Sequence, residues 1–220
     1  MTKAVRLFVS GTGTGVGKTV VTTALAAALR ARGEAVVALK PIETGCAPEP
    51  LDALALAAAC GRPELAHLSG SYRARAPLAP FAATLAGEPA LAWDALVGAV
   101  RPHLGAPHVL VEGAGGLLVP LDPTRTIAEL AAALELPLLL VARDALGVLS
   151  DTLAAVECAT RRGLEIAAVV LRTPPDPDSS IASNVDILAA RIDPPVLRFP
   201  NLAEGADPAA AGAALLAALR

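Results

Sequence analysis

Aromatic residues are nearly absent from this sequence of 220 residues: phenylalanine, tyrosine and tryptophan together make up 2% of the chain. Hydrophobic residues nevertheless make up 54%, so the core must be built mainly from alanine, leucine and valine. An excess of positive charge is also lacking, since the net charge is −3, which is not typical of a nucleic-acid-binding protein. The composition therefore favours a soluble protein that acts on small molecules and has no nucleic-acid partner.

Cysteine, histidine and long apolar runs are scarce as well. The three cysteines, Cys46, Cys60 and Cys158, are scattered without the spacing of a metal site, and we interpret them as reduced thiols. The longest apolar stretches, such as residues 209–219, have about half the length needed to span a bilayer. Because no targeting peptide is visible either, we expect a cytoplasmic protein without a membrane partner.

What the sequence does contain is a glycine-rich stretch near its start, residues 10–19, which reads SGTGTGVGKT. An apolar run precedes it and an alanine- and leucine-rich segment follows, so we predict a strand, a loop and a helix in succession. The backbone N–H groups of such a loop and the positive end of the helix dipole bind phosphate oxygens. Lys18 is predicted to reach the β- and γ-phosphates of a nucleotide, and Thr19 to coordinate Mg²⁺.

The loop differs from the common phosphate-binding pattern at one position. That pattern places a glycine five residues before Gly17, where this chain has Thr12. Gly11 stands one residue further back, so the loop is one residue longer than the usual form.

Strands and helices are predicted to alternate along the whole chain. The predicted strands are residues 4–9, 35–39, 109–111, 138–142, 166–171 and 195–199. The predicted helices include residues 51–60, 91–104, 127–136, 208–219 and a helix at 181–192 capped by Ser180, with residues 42–50 as a loop. This alternation indicates a mainly parallel sheet covered by helices on both faces. We therefore predict one α/β domain over residues 1–220, a single-domain three-layer fold like that of the P-loop NTPases.

Charged residues follow two of the predicted strands. Lys40 precedes Pro41, so it should be extended at the carboxyl end of the second strand, the edge where parallel sheets bind ligands. Glu112 ends the third strand and precedes several glycines, a pattern typical of the carboxylate that holds Mg²⁺ in such ATPases. Taken alone, Lys40 is equally consistent with a solvated lysine at the end of a strand. Asp52, in the first turn of the predicted helix at 51–60, is equally consistent with an acid that complements the helix dipole.

Several motifs together resemble the dethiobiotin synthetase family. The motifs are the loop of residues 11–19, Lys40-Pro41, DALAL at 52–56, VEGAGG at 111–116, Leu146-Gly147 and FPNL at 199–202. The elongated loop is itself a feature of that family. The resemblance implies an ATP-dependent ligase of biotin biosynthesis that converts 7,8-diaminononanoate, CO₂ and ATP into dethiobiotin, ADP and phosphate, with Mg²⁺ as cofactor and a homodimer as the assembly.

The resemblance also implies roles for individual residues. The implied catalytic residues are Lys18, Lys40 and Thr14, and the implied metal ligands are Thr19, Asp52 and Glu112. The implied nucleotide site comprises Gly13, Thr14, Gly15, Val16, Gly17, Lys18, Thr19, Glu112, Arg172, Pro200, Asn201 and Leu202. The implied substrate contacts are Thr44, Gly115, Gly116, Leu146 and Gly147.

Two positions depart from the family pattern. Family members often carry an asparagine that reads adenine at the end of the fifth strand, where this chain has Arg172 or Thr173. They also often carry an asparagine after the Leu146-Gly147 pair that contacts substrate across the dimer interface. The nearest residues here are Ser150 and Asp151, which leaves the site for the substrate's tail open.

Two other functions remain open at the level of sequence. Amide ligases of corrin synthesis share the loop style but usually continue into a glutamine-hydrolysing domain. A partitioning or cell-division ATPase would act as a switch that binds partners. That class carries an extra lysine near the start of the loop, where this chain has Gly13, and a basic membrane-binding helix, unlike residues 208–219.

The departure at residue 172 predicts weak selection of the nucleobase. Arginine offers only hydrogen-bond donors, so Arg172 cannot pair with the adenine edge as an asparagine does. We predict that CTP and GTP are used within roughly 10-fold of ATP, or about 1.4 kcal/mol. The measurement is kcat/KM for ATP, CTP, GTP and UTP at one Mg²⁺ concentration. A preference for ATP of about 10³-fold or more would show that other groups, such as the backbone near residues 200–202, read the base.

Overall fold

The computed structural model describes residues 4–203 and 205–219 of the chain. The strands of this part are β1 (Arg6–Gly11), β2 (Val36–Leu39), β3 (Ile42–Thr44), β4 (Tyr72–Ala74), β5 (His108–Gly116), β6 (Leu138–Arg143), β7 (Ile166–Arg172) and β8 (Val196–Phe199). The α-helices are α1 (Lys18–Ala31), α2 (Leu51–Cys60), α3 (Pro80–Leu85), α4 (Trp93–Val100), α5 (Ile127–Leu134), α6 (Val148–Arg161), α7 (Asn184–Ala189) and α8 (Pro208–Ala218).

Six strands form the main sheet in the order β2-β5-β1-β6-β7-β8, and every neighbouring pair is parallel. A parallel sheet is covered on both faces, so its strands are continuous apolar runs rather than alternating ones. Strand β1 is buried along its length after Arg6, and β2 is buried throughout. The α/β fold with a parallel sheet is therefore confirmed, as is a core built from alanine, leucine and valine with few aromatics.

The strand order brings the carboxyl ends of three strands together. Strand β5 lies between β2 and β1, with Leu39 paired to Val111 and Val9 paired to Glu112. The residues that follow β2 and β1 therefore meet at Glu112, even though they are about 70 to 100 positions away from it along the chain.

Three local predictions are wrong in detail. Residues 42–44 form β3 rather than loop, because they pair in parallel with β4 some 30 residues later, and local sequence carries no sign of that partner. The predicted helix over 91–104 is shorter: α4 ends at Val100 and a 3₁₀ turn follows, since Pro102 has no N–H to continue the α-helix. Glu112 does not end its strand, because β5 continues to Gly116.

The predicted helix over 181–192 is also wrong. A 3₁₀ helix, Ser179–Ala182, is capped by Asp178 rather than Ser180, and α7 begins only at Asn184. The side-chain amide of Asn184 donates hydrogen bonds to Asp144 at 2.8 Å and to Ser180 at 3.2 Å. These bonds tie the break between the two helical pieces to the buried Asp144 carboxylate, which follows β6.

Helix α8 packs very closely against α1. A Cβ atom added to Gly212 would overlap the carbonyl oxygen of Ala24 and approach the Cβ of Ala28 at 3.0 Å. The close approach therefore requires a glycine in α8, opposite the backbone of Ala24 and the small side chain of Ala28 in α1. No helix within the described residues is long and apolar enough to cross a membrane.

Substitution of Gly212 tests this packing. Gly212→Ala is expected to lower the free energy of unfolding by about 1–3 kcal/mol, because the added methyl group overpacks the interface between α1 and α8. The matched control is Gly98→Ala in α4, where an added Cβ meets no atom within 4 Å. That change is expected to stabilise the protein by about 0.5–1 kcal/mol through helix propensity. Urea unfolding of both variants is the measurement, and equal effects would contradict the close approach.

Candidate functional site

The glycine-rich loop connects β1 to α1, as the sequence predicts. Gly15 and Gly17 have φ angles of 74° and 100°, a region that residues with a Cβ rarely adopt. These angles let the backbone turn its N–H groups toward the start of α1. Lys18 is buried, and its Nζ donates a hydrogen bond to the carbonyl of Gly13 at 3.0 Å. Val16 is buried against Gly11, so its side chain packs inside the loop rather than facing a ligand.

Glu112 is the centre of the charged cluster beside this loop. Its side chain is fully buried, and its Oε1 accepts hydrogen bonds from Thr19 Oγ1 at 2.8 Å and from Lys40 Nζ at 2.6 Å. Its Oε2 is also buried and has no hydrogen-bond partner among the described residues. Leaving a buried carboxylate oxygen unpaired costs free energy, so this atom is a candidate ligand for something the polypeptide does not supply.

Lys40 joins Glu112 to Asp52. Its Nζ lies 3.2 Å from Asp52 Oδ2 and donates a further hydrogen bond to the carbonyl of Gly113 at 3.0 Å. Burial by itself would lower the pKa of Lys40, but the adjacent Glu112 and Asp52 carboxylates outweigh burial and hold the pKa above its usual value. Lys40 therefore remains a cation in the site, which is inconsistent with a solvated lysine at a strand end.

Lys18 has the opposite electrostatic environment. The pKa of its ammonium group is lowered to about 8, mainly by burial and also by the neighbouring Lys40, while Glu112 and Asp52 partly oppose the shift. Two buried lysines near one another disfavour each other's charge, and an anion bound between them would stabilise both. The site is electrostatically suited to a polyanion such as a nucleotide triphosphate.

Glu43 is a site residue for which the local sequence indicates no role. It lies in β3, and its carboxylate caps the start of α2: Oε1 accepts from the N–H of Asp52 at 2.8 Å, and Oε2 from the N–H of Ala53 at 2.9 Å. An anion at a helix N-terminus is favourable, and here it fixes the turn that presents Asp52 to Lys40. An acid in a predicted loop eight residues before a helix gives no local signal of such a cap.

A cavity of about 380 Å³ lies over the loop and the charged cluster. It brings together many of the residues implied by the sequence: Thr14, Gly15, Gly17, Lys18, Thr19, Lys40, Thr44, Asp52, Gly115 and Arg172. Gly13 and Gly116 line a second cavity of about 450 Å³ on the other side of the loop, beside Leu118 and the α6 residues Asp151 and Ala154.

The remaining implied residues lie further from the loop. Asn201 follows β8, and its Oδ1 accepts a hydrogen bond from Arg172 Nη2 at 3.2 Å, which connects residues 200–202 to the first cavity. Leu146 is 88% exposed, its N–H donates to Asp178 Oδ2, and Gly147 caps α6. Neither Leu146 nor Gly147 lines either of these two cavities of the described chain.

The oxygens of Thr19, Asp52 and Glu112 are hard ligands of the kind that a small divalent cation prefers. Among the described residues, no three acidic, histidine or cysteine side chains form a group that could hold a metal ion alone. Mg²⁺ in nucleotide sites is usually held by one or two carboxylates together with phosphates and water. The unpaired Oε2 of Glu112 and the hydroxyl of Thr19 fit that arrangement.

Comparison with known proteins identifies relatives over most of the chain. A family model described as an AAA domain matches residues 5–207. The chain is 49% identical over 187 residues to the ATP-dependent dethiobiotin synthetase BioD of Anaeromyxobacter dehalogenans (strain 2CP-C), covering 83% of each chain. It is 46% identical over 172 residues to the protein of the same name from Caulobacter vibrioides (strain NA1000 / CB15N), covering 75% of this chain and 78% of that one.

A solved structure supports the fold. The ParA family ATPase from Chlorobium tepidum TLS superimposes with a TM-score of 0.56 and 13% sequence identity, over 97% of this chain and 99% of that one. At this identity the likeness concerns the fold alone, and a three-layer P-loop fold is confirmed. The much higher identity to the dethiobiotin synthetases does not favour a partitioning or cell-division ATPase or a corrin-type amide ligase.

Substitution of Glu43 tests the position of Asp52. Glu43→Gln replaces one accepting oxygen with an NH₂ group that faces a backbone N–H, so the free energy of unfolding is expected to fall by about 1–2 kcal/mol. Glu49→Gln, an exposed substitution in the neighbouring loop, is the matched control and should stay within about 0.5 kcal/mol of the unsubstituted protein. Chemical denaturation measures both. A neutral Glu43→Gln would contradict the capping role.

Proposed function

This chain belongs to the dethiobiotin synthetase family, and from that premise we propose how its residues carry out the reaction. It is an ATP-dependent ligase that makes dethiobiotin in biotin biosynthesis. The proposed substrates are 7,8-diaminononanoate, CO₂ and ATP. One observation carries the proposal: Lys40 from the end of β2, Glu112 from β5 and Thr19 from the first turn of α1 meet beside the cavity.

The nucleotide is proposed to bind along the loop. The backbone N–H groups from Gly13 to Thr19 and the N-terminus of α1 would hold the phosphates. Lys18 exchanges its bond to the Gly13 carbonyl for the β- and γ-phosphate oxygens. A bound polyanion favours the charged form of an ammonium group whose pKa burial lowers, so the polyanion and Lys18 stabilise each other.

The first chemical steps form a carbamate and transfer a phosphoryl group. One amine of the substrate adds to CO₂ and loses a proton, which gives a carbamate. A carbamate oxygen then attacks the γ-phosphorus of ATP while the bond to the β-phosphate oxygen breaks, which releases ADP. Negative charge develops on the transferred oxygens, where Lys18 and Lys40 can stabilise it. Thr14 and Thr44 line the same cavity and are proposed to orient the carbamate.

The second step closes the ring. The other amine attacks the carbonyl carbon of the mixed anhydride, the carbon–oxygen bond to phosphate breaks, and the amine loses a proton. The products are the cyclic urea and inorganic phosphate. Lys40 is fixed by Glu112, Asp52 and the Gly113 carbonyl, so it stays a positioned cation while phosphate leaves. None of the residues matched to the family is an evident general base, and the chemistry of the reaction makes one unnecessary, since the departing phosphate can take up the proton.

Thr19, Asp52 and Glu112 are proposed to hold Mg²⁺ together with the phosphates. When bound, the ion neutralises charge on the β- and γ-phosphate oxygens. The unpaired Oε2 of Glu112 supports this assignment. Lys40 contacts Glu112 through Oε1 and Asp52 through Oδ2, so Oε2 of Glu112 stays available to the ion.

We further propose that two copies of the chain form the active homodimer in the cytoplasm. Leu146 and Leu118 are 88% and 55% exposed, and Leu118 borders the second cavity beside α6. Large exposed apolar side chains at a cavity are typical of a surface that another chain covers. Leu146 and Gly147, which line neither of these two cavities of their own chain, would then reach the substrate of the partner.

The molar mass in solution, measured by light scattering, tests this proposal. We expect the mass of two chains, and a monomer at assay concentrations would contradict the proposal.

The reaction itself is the first test. The purified protein is expected to release phosphate only when the diamine, bicarbonate and MgATP are all present, with dethiobiotin formed in equal amount. A coupled phosphate assay and mass spectrometry of the product are the measurements. Phosphate release without the diamine, and no cyclic urea, would support a switch ATPase instead.

The two lysines are the second test. Lys18→Ala and Lys40→Ala are each expected to lower kcat by about 10²- to 10³-fold, the usual loss for one electrostatic partner of a transition state. Because Lys40→Ala leaves Glu112 buried without its cation, thermal unfolding must show that this variant is folded at the assay temperature. Near-normal turnover of folded Lys40→Ala would contradict its role in the chemistry.

A further inference from the structure

Arg172, the last residue of β7, lies directly across the phosphate loop. A Cβ atom added to Gly17 would overlap the Cδ of Arg172 and lie 3.0 Å from its Nε. The arginine side chain therefore packs against the backbone of Gly17, the residue immediately before α1. It borders the same cavity as Lys18 and Val20. Arg172 is thus at the phosphate end of the nucleotide site as well as beside residues 200–202.

Arg172 has no carboxylate partner among the described residues, although Asp52 and Glu43 line the same cavity. The N-terminus of α1 carries a partial positive charge, and Lys18 adds a full one, so a guanidinium group placed beside them is repelled. No ion pair of the described residues includes Arg172. Its side-chain partner is the neutral Asn201, and its buried Nε has no acceptor in the described part of the chain. A bound anion would compensate all three positive groups at once.

We propose that Arg172 binds the nucleotide through its phosphates and does not read the base. This inference rests on the proposed function, since it assigns a residue within the same nucleotide site. A guanidinium group carries five N–H donors and no acceptor, which suits phosphate oxygens and cannot reproduce the paired donor and acceptor that adenine requires. Arg172 also engages the Oδ1 of Asn201, so this amide offers its donor side to the ligand.

Arg172 in this role does not select among nucleobases. A residue that contributes binding through phosphate contributes equally for every nucleoside triphosphate, because the phosphates are common to all of them. The end of β7 then raises affinity without discriminating between bases. Binding through the phosphates gives a physical reason for the weak selection of the nucleobase that the sequence predicts.

Binding of inorganic tripolyphosphate separates a phosphate contact from a base contact. Arg172→Gln keeps the length and a polar end group but removes the charge. It is expected to weaken binding of ATP, CTP and tripolyphosphate by the same factor, roughly 10- to 100-fold, the loss expected for a charge-assisted hydrogen bond. Isothermal titration calorimetry with Mg²⁺ at fixed ionic strength gives the three dissociation constants. The ratio of the ATP to the CTP constant should not change.

Arg143→Gln is the matched control. Arg143 pairs in register with Arg172 at the end of the neighbouring strand β6, is exposed and does not line the cavity. The same substitution there removes the same charge from the same sheet edge, and the dissociation constants should stay within about 2-fold. If Arg172→Gln does not fold, Arg172→Lys provides the comparison, since it keeps the charge but loses the planar fork.

Two results would overturn the proposal. If Arg172→Gln weakens ATP but leaves tripolyphosphate unchanged, Arg172 contacts the base or ribose. If it changes neither ligand, the side chain only packs against the loop. Both measurements are made without the diamine, so they do not depend on dethiobiotin formation. Failure of synthesis with an intact tripolyphosphate effect would reject the proposed function and leave the assignment of Arg172 standing.

Discussion

Glu112 is a carboxylate removed entirely from water, and much of the active region follows from that fact. A buried charge is tolerated only when it is paired and hydrogen-bonded, and here Lys40 and Thr19 supply the partners. The three residues come from β5, from the end of β2 and from the first turn of α1. Removing any one of them leaves the others unsatisfied in a low-dielectric environment, so the ion pair fixes the strand ends and the loop in one arrangement.

The strand order makes this arrangement possible. Placing β5 between β2 and β1 puts the loop, the lysine and the carboxylate at the same edge of the sheet. A further contact supports this arrangement, because Glu43 caps α2 and so holds Asp52 beside Lys40. Rigid strands and a capped helix position the charged groups more accurately than mobile loops would, which matters when stabilisation of a transition state depends on distances of a few tenths of an ångström.

The cations Lys18, Lys40 and Arg172 are matched in number by the carboxylates Glu43, Asp52 and Glu112, but no ion pair of the described residues includes Lys18 or Arg172. Lys18, Arg172 and the N-terminus of α1 converge on one cavity, while the Asp52 and Glu112 carboxylates are engaged by Lys40. Such a site is less stable without an anion, and part of that free energy is recovered when a polyphosphate binds. The same positive groups also stabilise the negative charge that develops during phosphoryl transfer, so they contribute both to nucleotide affinity and to the rate of the reaction.

The sequence alone determined the features that depend on local pattern: the phosphate loop between a strand and a helix, the alternation that makes a parallel sheet, and α2 at residues 51–60. It could also single out Lys40 and Glu112, because a charge at the end of an apolar strand is unusual. The assembled fold was needed to establish four further features: β3 pairs with β4, Glu43 caps α2, Asn184 binds Asp144 at a break between helices, and Arg172 lies against Gly17. These contacts join residues distant in sequence or of ambiguous local preference, and their free energy comes from burial and charge pairing that exist only once the sheet has assembled.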